Sequence, residues 1–218
     1  MRDHSPEPGL PFEHLNLRFN PFGERPLEER GQLAVPPDYF DDLPDLTRPG
    51  FALQVLGDKG RGKTTHLLAL RERYPRSQYL HIPEEGLQAW PPSLGPSPFF
   101  IDEAQRLTWL QRRDLFRPQR SLVIGSHADH AKQLRRAGFT VQTRQAFEEL
   151  SPERLHAMIQ KRIESARRAD GDLPRVTKEN CDLLLSHFGT DVRGIEGYLY
   201  EIFQGLEGPC HVELRNLD

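Results

Sequence analysis

The eight residues Gly57 to Thr64, GDKGRGKT, constrain this 218-residue chain more than any other stretch. They fit the pattern G-x-x-x-x-G-K-[ST]. A phosphate cradle needs backbone N–H donors that approach closely, and glycine permits turns that side chains would block. Lys63 can offset the charge of β- and γ-phosphates, Thr64 offers a hydroxyl to Mg²⁺, and a helix starting there adds a favourable dipole. Such a loop must follow a strand and open a helix. FALQVLG (51–57) reads as a buried strand ending in glycine, and KTTHLLALRERY (63–74) as a helix. Gly57, Asp58, Lys59, Gly60, Arg61, Gly62, Lys63, Thr64 and Thr65 are therefore the expected nucleotide-binding segment, with the Lys59 and Arg61 side chains pointing outward.

YLHI (79–82), FFID (99–102), LVIGS (122–126) and FTVQT (139–143) are further short apolar runs. They alternate with helical or polar stretches, the pattern of a parallel sheet with helical crossovers. PPSLGPSP (91–98) reads as a loop. PFFIDEAQ (98–105) delivers Asp102 to the carboxyl end of a strand, where it can hold Mg²⁺ through water. Glu103 beside it can orient and activate an attacking water, a pairing suited to hydrolysis rather than transfer to a second substrate. LVIGSH ends its strand on Ser126 and His127, and a polar group there can sit between a γ-phosphate and that water.

Nine of the 19 prolines fall within residues 1–50, so residues 1–49 are expected to form an extended arm rather than a helical layer. FEHLNLRFNPFGE (12–24) is its aromatic-rich part and should dock. Residues 50–150 carry the α/β core. From Ser151 the strands stop, and three helices are expected over 151–218. Ser151 and Pro152 open the first, Thr177 the second and Asp191 the third. Leu155, Met158, Ile159, Ile163 and Ala166 stripe the first. On the third, Arg193 is expected opposite Ile195 and Leu199, with Gly194 and Gly197 allowing another surface close to it.

Net charge is −3, so no global basic field draws the chain onto nucleic acid. QRRDLFRPQR (111–120) is the densest basic cluster, and any DNA binding through Arg112, Arg113, Arg117 and Arg120 is expected to be weak and salt-sensitive. Two lone cysteines and scattered histidines give no zinc or HExxH spacing. No apolar run is long enough to span a membrane, and the N-terminus mixes charge with proline, so a cytoplasmic location is expected.

Taken together, Gly57–Thr64, Asp102–Glu103, the polar strand end at Ser126 and DVRG (191–194) resemble the AAA+ ATPases. The DEAQ form and the leading FNPF are similar to the ExeA-like and transposition-associated (TniB-like) ATPases, and more distantly to replication initiators and clamp loaders. The resemblance covers roughly residues 12 to 206 and implies an α/β P-loop NTPase with a five-stranded parallel sheet in the order 5-1-4-3-2 and a small C-terminal helical lid. It further implies that Ser126 acts as sensor 1, Arg193 as sensor 2, and either Arg135 or Arg136 as an arginine finger reaching a neighbour's nucleotide. Three functions follow as expectations. The first is an ATP- and Mg²⁺-dependent ATPase that self-associates on ATP and drives or controls a partner macromolecule, protein or DNA. The second is a slow nucleotide-gated interaction module, and the third a P-loop kinase.

Overall fold

FALQVL, FFID and LVIGS are apolar on both faces, so each belongs inside a sheet covered on both sides. They form β1 (Phe51–Leu56), β3 (Phe99–Asp102) and β4 (Leu122–Ser126). The more exposed β2 (Tyr79–His81) and β5 (Thr140–Gln145) take the two edges. Every pairing is parallel, and the order is β2-β3-β4-β1-β5, which from the β5 edge reads 5-1-4-3-2. β4 therefore separates β1 from β3. The computed structural model describes residues 11–87, 98–146 and 150–214, so the loop read at 91–98 lies, but for Pro98, outside the described residues.

Strand alternation sorts the core into two layers. Leu53, Val55, Phe100 and Val123 pack with Leu67, Leu70, Tyr39, Phe40 and Leu46. Ala52, Phe99, Ile101, Leu122 and Ile124 pack with Leu115, Leu134 and Phe139. The first layer belongs to α2 (Lys63–Arg71), on which α1 (Leu27–Leu33) packs. The second belongs to α3 (Trp109–Leu115) and α4 (Ala131–Arg136).

The first 49 residues do not behave as one arm. The chain divides into two compact units, residues 26–150 and a unit joining the segment up to Arg25 with residues 151–218. Residues 27–33 are helical, against the expectation of an extended path. The prolines do not prevent this because they lie outside the helix, Pro26 at its N-cap and Pro36 and Pro37 beyond its end.

In the second unit, α5 (Pro152–Ser165), α6 (Lys178–Phe188) and α7 (Val192–Gln204) start at Ser151, Thr177 and Asp191, whose side chains each accept a backbone N–H. Leu155, Ile159, Ile163, Leu184, Ile195, Leu199 and Phe203 are buried, while Met158 is only half-buried. The aromatic-rich segment docks on these helices. Leu15 and Leu17 are fully buried, Phe22 meets Phe203 edge-on at 4.9 Å, and the Asn20 amide donates to the Tyr200 carbonyl at 3.0 Å. Among the described residues no helix is long and apolar enough to cross a membrane.

Candidate functional site

The loop between β1 and α2 is left-handed at three glycines, with φ of 155° at Gly57, 87° at Gly60 and 86° at Gly62. Gly57 also needs its missing Cβ, which would lie 3.3 Å from the Arg61 Cβ. The Lys63 side chain is buried and its ammonium donates to the Asp58 carbonyl at 2.9 Å, folding the lysine back inside the loop. Gly62 caps α2 with no side-chain acceptor and no acidic residue occupies the first turn; α1 and α4 also lack a side-chain cap, whereas Thr108, Ser151, Thr177 and Asp191 cap the starts of α3, α5, α6 and α7. The first-turn N–H donors of α2 thus carry no side-chain cap, the arrangement a phosphate needs. Asp58 and Lys59 are exposed as expected for loop side chains, and Thr65 is half-buried. Arg61, expected to point outward, is half-buried because it packs its stem beside Gly57.

Asp102 ends β3 with no solvent exposure. Its Oδ2 accepts the Thr64 hydroxyl at 2.6 Å and the Tyr79 hydroxyl at 2.9 Å, and its Oδ1 accepts the Glu103 N–H at 3.1 Å. Burial, then the Asp102 charge, pushes the Tyr79 phenol well above its ordinary pKa, so it stays a donor. His81, paired with Asp102 across β2 and β3, brings its ring nitrogen to 3.6 Å of the carboxylate. Gly125 on β4 makes room for this group, since a Cβ there would meet the Asp102 Oδ1 at 2.8 Å.

Glu103 lies just past the strand in the left-handed region, φ 62° and ψ 41°, a conformation that costs a glutamate roughly 1–3 kcal/mol. Three groups converge on its Oε2: the Gln105 amide at 2.6 Å, Arg106 at 3.5 Å and the His127 ring at 3.6 Å. Ser126 is fully buried, and its hydroxyl donates to the Gln105 Oε1 at 3.1 Å and lies 3.1 Å from the His130 Nε2. Burial, with the Arg112 charge added, holds the His130 ring below the ordinary imidazole value, hence neutral at pH 7.

Beneath Ser126, the fully buried Gln54 of β1 donates to Asp129 at 2.8 Å and Thr143 at 3.2 Å and accepts the His130 N–H at 2.6 Å. The hydrogen bond from Gln54, with one from the Ala131 N–H, pulls the Asp129 carboxyl below its usual pKa. The brace fixes the start of α4, whose last turn carries Arg135 and Arg136, both exposed as the chain enters edge strand β5.

Thus Lys63, Thr64, Asp102, Glu103 and Ser126 are brought together, and Arg135 and Arg136 are not joined to them by any contact described. Arg193 lies in the other unit, exposed on α7 opposite Ile195 and Leu199. Gly197 has open space over it, but a Cβ on Gly194 would meet Phe188 at 3.0 Å, so the surface that comes close there is α6 of its own unit. Tyr79, Gln105, Gly125 and the Gln54–Asp129 brace were not singled out from sequence. The only sequence signal was the Gln of DEAQ, which carried the resemblance without a role.

The site's donors suit Mg²⁺. It takes hard oxygen ligands, keeps several waters and needs only one or two protein groups beside substrate phosphates, and here a threonine hydroxyl and a carboxylate already meet. Among the described residues no group of three or more His, Cys, Asp and Glu side chains could hold a metal by itself. No family model matches the chain, and no curated protein matches it either.

Proposed function

We propose that the chain is a P-loop ATPase of AAA+ type that binds and hydrolyses Mg²⁺-ATP to drive or control a partner macromolecule. The observation that carries this reading is the 2.6 Å bond from Thr64 to Asp102, made across the intervening β4. A phosphate loop and an acid from a non-adjacent strand meet where ligands bind in open α/β sheets, outside the carboxyl ends of the strands.

In this reading the loop N–H groups and Lys63 hold the β- and γ-phosphates, and Thr64 and Asp102 hold Mg²⁺. The ion supplies charge neutralisation at the phosphates. Glu103 orients the attacking water and takes its proton, and Ser126 contacts the γ-phosphoryl group. Arg135 and Arg136, exposed at a sheet edge, offer a cation to the site of a second copy docked head to tail, and an arginine so placed is worth 10³- to 10⁵-fold in rate. Binding to DNA alone is weak, since Arg117 pairs with Asp114 at 2.7 Å and Arg113 lies over Trp109 at 5.1 Å, which leaves fewer cations for phosphates.

Phosphate release, measured with and without duplex DNA, tests the reading. Turnover above roughly 0.01 per second favours an ATPase, and slower turnover with intact binding favours a nucleotide-gated switch. Lys63→Ala should abolish ATP binding in calorimetry. Glu103→Gln should bind ATP like the wild type and hydrolyse it about 10²-fold more slowly or worse. Undiminished ATP affinity of Lys63→Ala sinks the P-loop assignment.

A further inference from the structure

We propose that Gln105 is a positioning residue that ties the end of β4 to the catalytic carboxylate, an inference that rests on the ATPase reading for Glu103. Its amide makes the hydrogen-bonded link between the β4 end and Glu103, closer than the 3.6 Å approach of the His127 ring to the same carboxylate. Oε1 accepts both the Ser126 hydroxyl at 3.1 Å and the His127 backbone N–H at 3.2 Å. Because a backbone N–H can only donate, the other end of the amide is its NH₂, and that end donates to the Glu103 Oε2 at 2.6 Å. The orientation of Gln105 is therefore set by chemistry.

Strand alternation explains why such a link is needed. Ser126 stands opposite Leu56 in register, on the sheet face of Gln54 and Ala52, whereas Gly125 and Asp102 approach each other on the face of Leu67 and α2. The γ-phosphate contact and the metal carboxylate thus descend to opposite layers of the core. The turn Glu103–Arg106 passes over the strand ends, and Gln105 spans from Glu103 in that turn to the β4 end.

The consequence is directional. Gln105, Arg106 and the His127 ring all address Oε2, which presents Oε1 as the oxygen that takes a proton from water. A change at Ser126 reaches Glu103 through one rigid amide. Loss of that amide lets the carboxylate rotate, and a misplaced base slows chemistry without weakening nucleotide binding.

The test uses the full chain with Mg²⁺-ATP, reading kcat and KM by phosphate release and amide hydrogen exchange at His127 by NMR. Gln105→Met should lower kcat about 10-fold or more, leave KM within about twofold, and speed exchange at His127. Gln105→Glu keeps the acceptor toward Ser126 and His127 but sets an anion against Glu103. It should retain slow exchange yet lose at least as much turnover. Combined with Ser126→Ala, Gln105→Met should cost less than the sum of the two separate losses. Wild-type kcat in both Gln105 variants, or full additivity with Ser126→Ala, overturns the proposal. If the wild type releases no phosphate at all, the ATPase reading fails. Gln105 is then judged by exchange alone, with faster exchange at His127 in Gln105→Met upholding the link and unchanged exchange overturning it.

Discussion

The two units of this chain spend polar groups in opposite ways. Residues 26–150 bury Gln54, Lys63, His66, Ser77, Asp102, Ser121, Ser126 and His130, whereas Asn20 is the one buried polar residue of the helical unit among the described residues. The helical unit keeps its polar groups at helix ends, as caps, and fills its interior with Leu, Ile and Phe. Burying a polar group is costly unless each donor and acceptor is matched, and removing one partner leaves the other unsatisfied. Lys63, Asp102, Ser126 and His130 gather at the carboxyl ends of β1, β3 and β4, with Gln54 beneath them, whereas Ser77 and Ser121 lie at the amino ends of β2 and β4 and His66 lies within α2 beside Tyr39. A structure that needed only stability would have filled the carboxyl-end positions as the helical unit does. The proposed function gives a reason for the cluster at the carboxyl ends of the strands, where the polar groups address one another across β1, β3 and β4.

The contrast can be tested from both sides, and the largest stability effect should come from the helical unit. Phe203 is fully buried and stands edge-on to Phe22 at 4.9 Å, tying α7 to the N-terminal segment. Phe203→Ala should cost about 3–5 kcal/mol in urea unfolding, the usual range for emptying such a site. A loss under about 1.5 kcal/mol would mean that this interior is loosely packed and that the apolar side of the comparison is weaker than its burial suggests.

A smaller stability loss with a larger functional one is expected in the core. Gly125→Ala places a Cβ 2.8 Å from the Asp102 Oδ1 and 3.3 Å from Leu67. The strand itself tolerates alanine, so the penalty is overpacking, about 1–3 kcal/mol by denaturant titration. The carboxylate must move off the Thr64 hydroxyl to make room. Mg²⁺-dependent turnover should therefore fall well beyond what the fraction unfolded explains. Turnover that merely follows stability would show that the Asp102 position is not critical.

Gly125 also marks the limit of what could be read from the chain. The strands were legible because β1, β3 and β4 are continuous apolar runs, and the helix starts of α5, α6 and α7 because capping residues announce them. α1 was missed because its flanking prolines read as an arm. The last residues of β5, Arg144 and Gln145, were missed because an edge strand needs no apolar run. At the candidate site, the Gly57–Thr64 loop and the Asp102–Glu103 pair are each contiguous in sequence and so stand out. Tyr79, Gly125 and Gln105 matter only through register between strands that lie far apart in the chain, and a single sequence carries no such register.

The smallest effect should come from a cap. Thr177 accepts the Asn180 N–H at 3.2 Å while the Asn180 side chain accepts the Thr177 N–H at 3.0 Å, so two of the orphan donors at the start of α6 are satisfied reciprocally. Thr177→Ala removes one acceptor and exposes its donor to water rather than to a dry interior, since the residue is only half-buried. That is why the expected cost is only about 1 kcal/mol, within the range seen for lost N-caps. Its partners lie within its own helix, so ATP affinity should not change. The polar groups of the helical unit then differ in kind from those of the core, where Glu103→Gln is expected to leave stability nearly intact and remove catalysis. A Thr177→Ala loss of several kcal/mol, or a shifted ATP affinity in calorimetry, would show that this cap does more than finish a helix, and the division between structural and functional polar groups would have to be redrawn.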